Sequence, residues 1–490
     1  MRNNYALMGL LLTVPLSTWL HAEHQPLEVK SEESSPADRA GDLAPAKGVT
    51  AADTAPPTGG SNSFWQQEFL TGNWGGARTK LADKGVSFGV NYIGEVFGNP
   101  SGGISQGVVN NGRIEMVLDL DFEKMAGFKG GTFHVNSYYI YGEDLSATRV
   151  GNGLTVSNIA AYNTLRLFDL WYQQEFLDGR ISVRFGQIAA DDEFIVSDYG
   201  ATMINGTFGW PALVSANMAS GGPGFPLATP GVRVMVTPIE QVSFMGAIFD
   251  GDPGDGGANP QKKNSTGTRI DFAQGLLTMF EGAYHLNQEK DAKGLPGTYK
   301  LGGWFGSQSA ALSYTNFNTG ANENNWGVYA VADQMVWREP TVPAPSGLKN
   351  DPKDVKAAAA GADAGNQGIG LFARVGGSPA DRNTLEFYAD GGLNYTGLIP
   401  GRDEDVLGFG VAYAQISDVV SNLAAAPGTP TMNFEMVLEA TYQAKITPWW
   451  TVQPDIQYII NPGGKTPDPN NPAVPIPNAV VLGLRTAIAF

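Results

Sequence analysis

Residues Ala479–Phe490 read AVVLGLRTAIAF. Counted in steps of two from the last residue, Phe490, Ile488, Thr486, Leu484, Leu482 and Val480 share one side. Ala489, Ala487, Arg485, Gly483 and Val481 share the other. Side chains alternate across a strand, so this segment has one almost wholly apolar face and one that is small or charged. A soluble antiparallel sheet shows the same alternation, with core on one side and water on the other. Here the strand runs to the last residue and ends on an aromatic, which suits the interfacial girdle of a transmembrane barrel. The rest of the chain decides between the two.

The pattern recurs upstream. In 112–124, Ile114, Met116, Leu118, Leu120 and Phe122 oppose Arg113, Glu115, Asp119 and Asp121. In 164–177, Phe168, Leu170, Tyr172 and Phe176 oppose Asp169, Gln173 and Glu175. In 432–446, Phe434, Met436, Leu438, Tyr442 and Ile446 oppose Glu435, Glu439, Gln443 and Lys445. In 449–461, Trp450, Val452, Ile456, Tyr458 and Ile460 oppose Thr451, Gln453, Asp455 and Gln457. Extended to the whole chain, this reading predicts 16 strands: 85–97, 112–124, 130–141, 164–177, 179–190, 229–237, 240–250, 275–287, 297–309, 325–338, 367–377, 383–396, 405–417, 432–446, 449–461 and 479–490. Their lengths match a tilted membrane-spanning strand. A sandwich would use shorter strands.

Connections alternate short and long. Leu177-Asp178-Gly179, Thr237 to Gln241 and Thr447-Pro448 are tight, whereas 142–163, 191–228, 251–274 and 462–478 are long. Short periplasmic turns and long external loops are the pattern of an outer-membrane barrel. An even strand count puts both ends on the periplasmic side, and 98–111, 310–324, 378–382 and 418–431 join the long loops outside. The insertion 339–366 falls at an expected periplasmic turn and reads as a loop there.

Composition agrees. The 490 residues include 63 glycines and no cysteine, so stability must come from pairing and packing, not disulfides. A formal net charge of −17 argues against a nucleic-acid partner. Beyond the N-terminus no apolar run is long enough for a membrane helix. Residues 1–22, with Arg2, an apolar stretch from Tyr5 to Leu20 and Ala22, read as a secretory signal. Residues 23–62, rich in Pro, Ala, Ser and acids, read as a disordered periplasmic lead. The barrel domain is expected over 63–490, after a short helix-like piece at Ala77 to Lys84.

Several spaced segments also resemble a known family. They are LTGNWGGARTKLADKGVSF (70–88), FGQIAADDEF (185–194), NGTFGWP (205–211), YAVADQMVWREP (329–340), GLFARVGGSPADRN (370–383), DGGLNYTGLIPGRDEDVLGFGVAYAQIS (390–417), ITPWWTVQPDIQYIINPGG (446–464) and NAVVLGLRTAIAF (478–490). In order, and across roughly 65–490, they resemble the carbohydrate-selective porins of the OprB family. The resemblance implies a 16-stranded outer-membrane barrel of a Gram-negative cell that admits small sugars of the glucose type into the periplasm. The acidic lead and the 339–366 insertion depart from the family pattern and leave the barrel wall untouched.

A channel needs a polar lumen, a constriction, and groups that replace a sugar's lost hydration. Arginine–carboxylate pairs suit hydroxyls, and an aromatic face suits C–H patches. Alternation places Glu95, Arg113, Glu115, Arg184, Arg233, Trp304, Arg374, Glu386 and Arg485 on the lumen face. Asp192 and Glu193 belong to the acid cluster opening the loop 191–228, whose Phe208, Trp210, Pro211, Pro223 and Phe225 suit a loop folded inward to narrow the pore. Each has a plainer reading: a structural charge ladder for the arginines, solvated mouth residues for the acids, a girdle position for Trp304. The five arginines and three glutamates among the strand candidates nearly balance, which agrees with a neutral solute. Phe490 is the expected assembly signal, read by the barrel-assembly machinery. Lipid is the expected surroundings, and homo-oligomerisation is left open.

Other classes remain. A barrel hydrolase needs a nucleophile with a general base. His21 and His24 lie in or beside the signal, and His134 and His285 sit on strands with no serine elbow beside them. No His/Cys metal spacing and no glycine-rich phosphate loop before a helix is present, so no cofactor is expected. A general diffusion porin, or one for another small polar solute, is the nearer alternative. A soluble carbohydrate-binding sandwich would fractionate without detergent.

Overall fold

The computed structural model describes residues 63–254, 259–269, 275–288, 292–309, 314–340 and 367–490. The expected signal, the acidic lead and all but the first two residues of the 339–366 insertion lie outside these residues.

The strands are β1 (Val86–Ser101), β2 (Gly107–Asp121), β3 (Gly131–Gly142), β4 (Thr164–Phe176), β5 (Ile181–Ile188) and β6 (Thr229–Ile239). They continue with β7 (Val242–Asp250), β8 (Leu276–Leu286), β9 (Gly297–Gly306), β10 (Asn325–Arg338) and β11 (Gly368–Gly377). The last are β12 (Leu385–Thr396), β13 (Val406–Ile416), β14 (Phe434–Thr447), β15 (Trp450–Ile460) and β16 (Ala479–Ala489). Each pairs antiparallel with its neighbours in sequence, and β16 returns to β1 with Arg485 opposite Glu95, closing the barrel. Closure leaves no free edge, the condition for a sheet in hydrocarbon. Every expected strand is present. The first hairpin is longer than expected: β1 and β2 stay paired to Asn99 and Gly107, leaving a short connection where 98–111 was expected to loop out.

The alternation works as read. On β16, Leu482 and Leu484 are 49% and 51% exposed, while Val481 and Arg485 are buried. On β8 to β10, Phe280, Leu301 and Val328 face outward in the same way. One strand departs. A bulge between Val135 and Ser137 of β3 gives β4 an extra residue, so Phe168 and Asp169 are both buried and exposure resumes at Leu170. Phe168 therefore faces inward, not with Leu170 and Tyr172 as period two alone predicts.

The segment before β1 fastens the seam. Helix α1 (Ala77–Ala82) leads through Gly85, whose φ of +81 and close approach to the Asp121 carbonyl exclude a side chain. The Leu70 N–H donates to the Ala489 carbonyl at 2.8 Å, and the Phe490 N–H donates to the Val90 carbonyl at 2.9 Å. Arg78 lies over the rings of Phe69 and Trp74, 3.9 and 4.3 Å from their centroids, and donates to the Phe490 carbonyl at 2.7 Å. Trp449 donates its indole N–H to the Phe64 carbonyl at 3.2 Å.

Candidate functional site

The β5–β6 connection, residues 189–228, lies inside the barrel. Phe194, Ile195, Met203, Ile204, Phe208, Trp210, Leu213, Val214, Met218, Phe225 and Leu227 are all buried. The inner wall offers matching apolar side chains: Phe249, Met279, Trp304 and Tyr329 on one arc, Phe372, Leu385, Tyr388 and Val437 on another. Full burial of each large side chain is worth about 1.5–3 kcal/mol, so this loop gains more inside than in water.

Buried backbone must also find partners. The wall supplies them. Glu281 accepts from the Ile195 N–H at 2.9 Å. Asp333 accepts from the Ser197 hydroxyl at 2.6 Å. Glu439 accepts from the N–H groups of Ile204 and Asn205 at 2.5 and 2.9 Å. Asn394 and Gln453 donate to the carbonyls of Tyr199 and Thr202 at 2.7 and 2.8 Å.

A second loop, 143–163, also turns inward, which the sequence reading did not anticipate. Glu435 accepts from Gly153, Leu154 and Gly463 N–H groups at 2.9, 2.6 and 2.6 Å. The Ser157 hydroxyl donates to Glu95 at 2.6 Å, and Gln457 donates to the Val156 carbonyl at 2.9 Å. The two loops bond each other through Asn158 N–H to Ile204 carbonyl at 3.0 Å and Gly206 N–H to Thr155 carbonyl at 2.8 Å.

On the arc from β1 to β6 the polar candidates come together. Glu193, at the start of the inward loop, binds Arg184 at 2.8 Å and Arg233 at 2.7 Å. Gln173 accepts from both arginines, at 2.9 and 3.0 Å. Arg184 lies 3.7 Å over Trp171, whose ring stacks on His134 at 4.6 Å. His134 meets Asp119 at 2.7 Å. Arg113 sits over Tyr138 at 4.6 Å and Phe225 at 5.3 Å, within electrostatic reach of Glu115, Glu95, Arg485 and Asp192. Glu115 accepts from Asn91 and Asn136 at 3.0 and 2.9 Å. Arg485 binds Glu95 at 2.7 Å and also reaches Asn158. Asp192 bonds Asp169; burial and the adjacent Asp191 charge push the Asp192 carboxyl well above its ordinary pKa. The arginines of this cluster are well covered: Arg113 is 1% exposed and Arg184 6%.

Three candidates fall elsewhere. Trp304 faces inward as alternation requires, but it is 1% exposed beneath the loop, packed with Trp210 and Met279, so its ring faces no solute. Arg374 also faces inward, yet its guanidinium is spent on Asp390 at 2.7 Å and on loop carbonyls. Glu386 leaves the lumen set because a bulge between Leu385 and Phe387 displaces it; its charge acts on Tyr413, whose ring lies beside the outward Phe387. The near balance of charge is also corrected. Asp119, Asp169, Glu281, Asp333, Asp390, Glu435, Glu439 and Asp455 are buried as well, so acids are more numerous inside than the candidate set suggested. Period two had put Glu435, Glu439 and Asp455 on polar faces; only the loops reveal what they bind.

For covalent chemistry the interior offers little. His285 shares a 3.0 Å hydrogen bond with Ser243, and among the described residues no carboxylate bonds its other ring nitrogen. Among the same residues no group of His, Asp and Glu is placed to hold a metal ion.

Comparison with known proteins places this architecture. The family model described as carbohydrate-selective porin, OprB family, matches residues 105–490. Porin B of Pseudomonas aeruginosa is 24% identical over 469 residues, covering 88% of this chain and 92% of that protein. The high-pH structure of Pseudomonas putida OprB is similar with a TM-score of 0.69 at 23% identity, over 88% of this chain and 100% of that one. The low-pH structure of the same protein gives 0.52 at 21% identity, over 87% and 99%. The barrel that alternation demanded is thus the barrel of known channels, which are not enzymes, and this chain belongs to the carbohydrate-selective porins of the OprB family, in the outer membrane.

Proposed function

We propose that the barrel passes small neutral sugars of the glucose type, down their gradient and into the periplasm. The constriction lies between the β1–β6 arc and the inward loop. The observation that carries this reading is the pairing on that arc. Guanidinium and carboxylate groups stand side by side, Arg184 and Arg233 on Glu193 and Arg485 on Glu95. Paired charges present hydrogen-bonding dipoles to a hydroxylated solute while giving a free ion no uncompensated partner. Within this reading Glu115, Arg184 and Asp192, which keep some exposure, are the solute-facing groups, and Arg113, Glu193, Arg233, Glu95 and Arg485 fix their positions. Trp304, Arg374 and Glu386 are not solute contacts.

The short turns, the start of β1 and the end of β16 share one rim, assigned here to the periplasmic side. The outward aliphatic face meets lipid, and Phe490 serves assembly; its deletion should lower the yield of folded barrel in the outer membrane. The test of transport is ion current through single channels in planar bilayers. Glucose should reduce the current in a saturable way, and Arg184→Gln should weaken that block by roughly tenfold, the equivalent of one charge-assisted hydrogen bond. A current unaffected by glucose would overturn the reading.

A further inference from the structure

We infer that Arg374 sets the pore's size limit, as the positioning residue that locks the inward loop. This rests on the reading of the barrel as a sugar channel. The loop runs out along the inner wall over 189–203 and returns over 206–228. Arg374, on β11, bonds both limbs at once. Its Nη1 donates to the Ile195 carbonyl on the outgoing limb at 3.1 Å and to the Gly209 carbonyl on the returning limb at 2.8 Å. Its Nη2 donates to the Thr207 carbonyl at 3.1 Å and to the Phe208 carbonyl. Nε and Nη2 hold Asp390 of β12 at 3.1 and 2.7 Å. Tyr388 completes the node, donating to Asp390 at 2.6 Å and accepting from the Thr207 hydroxyl at 2.8 Å.

The other wall groups divide the work. Glu281 and Asp333 hold the outgoing limb; Asn325 holds the returning limb through the Asn217 carbonyl at 3.0 Å. A planar fork with five donors holds four backbone carbonyls and a carboxylate together, more acceptors than the three donors of an ammonium can serve. The loop is the movable side of the constriction, and the β1–β6 arc is its fixed side. Held, the loop gives one aperture. Released, it samples several, and passage of a solute near the size limit follows the widest of them.

The experiment is liposome swelling with uncharged solutes of increasing size, from glucose to a disaccharide and a trisaccharide. Arg374→Lys keeps the charge beside Asp390 and loses the fork. The double variant Arg374→Met with Asp390→Leu removes both charges, so neither is left buried alone. Heat-modifiable gel mobility reports the folded barrel. Both variants should raise the disaccharide-to-glucose rate ratio by roughly threefold to tenfold, the factor carried by about one net hydrogen bond. An unchanged ratio in folded variants overturns the inference. So does failure of Arg374→Lys to fold, because a positioning residue with its charge retained must leave the barrel intact. If wild-type protein shows no preference for glucose beyond size, the sugar reading falls instead, and the size ratio still judges Arg374.

Discussion

Glu193 faces two guanidiniums and is itself 4% exposed, with Arg233 fully buried beside it. Removing one member of a buried ionic group leaves the others uncompensated, a loss of about 3–5 kcal/mol. Glu193→Gln should therefore lower unfolding stability by that order in denaturant titration; a loss below about 1 kcal/mol would mean that the arginines find other partners. Which side chains face inward was legible here because a strand's period is local. What each inward side chain does was not. Glu435 meets Gly153 and Leu154, and Arg374 meets Ile195, across separations that no local pattern encodes. Glu386 and Phe168 were misplaced for a simpler reason: a single bulge reverses the phase of everything beyond it.

At the scale of elements, every strand was readable, since each carries its own alternation and its own turn residues, but the outer ends of the first hairpin and the bulges were not. The inward fold of 189–228 was readable from its apolar content. The loop 143–163 was not, because residues such as Asn152, Thr155, Ser157 and Asn158 look like solvated loop. They are buried because Glu95 and Arg485 of the wall hold Ser157 and Asn158, Gly206 of the other loop donates to Thr155, and Asn152 donates to the Leu154 carbonyl. Loops and acidic wall are thus one device, and it can be opened a piece at a time. Glu439→Ala leaves the Ile204 and Asn205 N–H groups without their acceptor, at about 1–3 kcal/mol each. Limited proteolysis should then cut within 189–228 while the barrel keeps its folded gel mobility. Resistance equal to wild type would show that apolar packing alone holds the loop.

For the molecule as a whole, closure joins the first strand to the last, and the segment before β1 sits on that joint. Arg78 combines a charge-assisted hydrogen bond to the last residue with two stacked rings. Arg78→Ala should cost about 2–3 kcal/mol and lower the temperature at which the folded gel form is lost. An unchanged temperature would make the segment an ornament of the seam. The central claim is selectivity, and liposome swelling tests it most directly. Purified wild-type protein is compared on glucose, a disaccharide, an amino acid and an organic anion of glucose size. Glucose should enter clearly faster than its size predicts and faster than the anion. Rates that follow size alone would keep the barrel and contradict the sugar-selective channel.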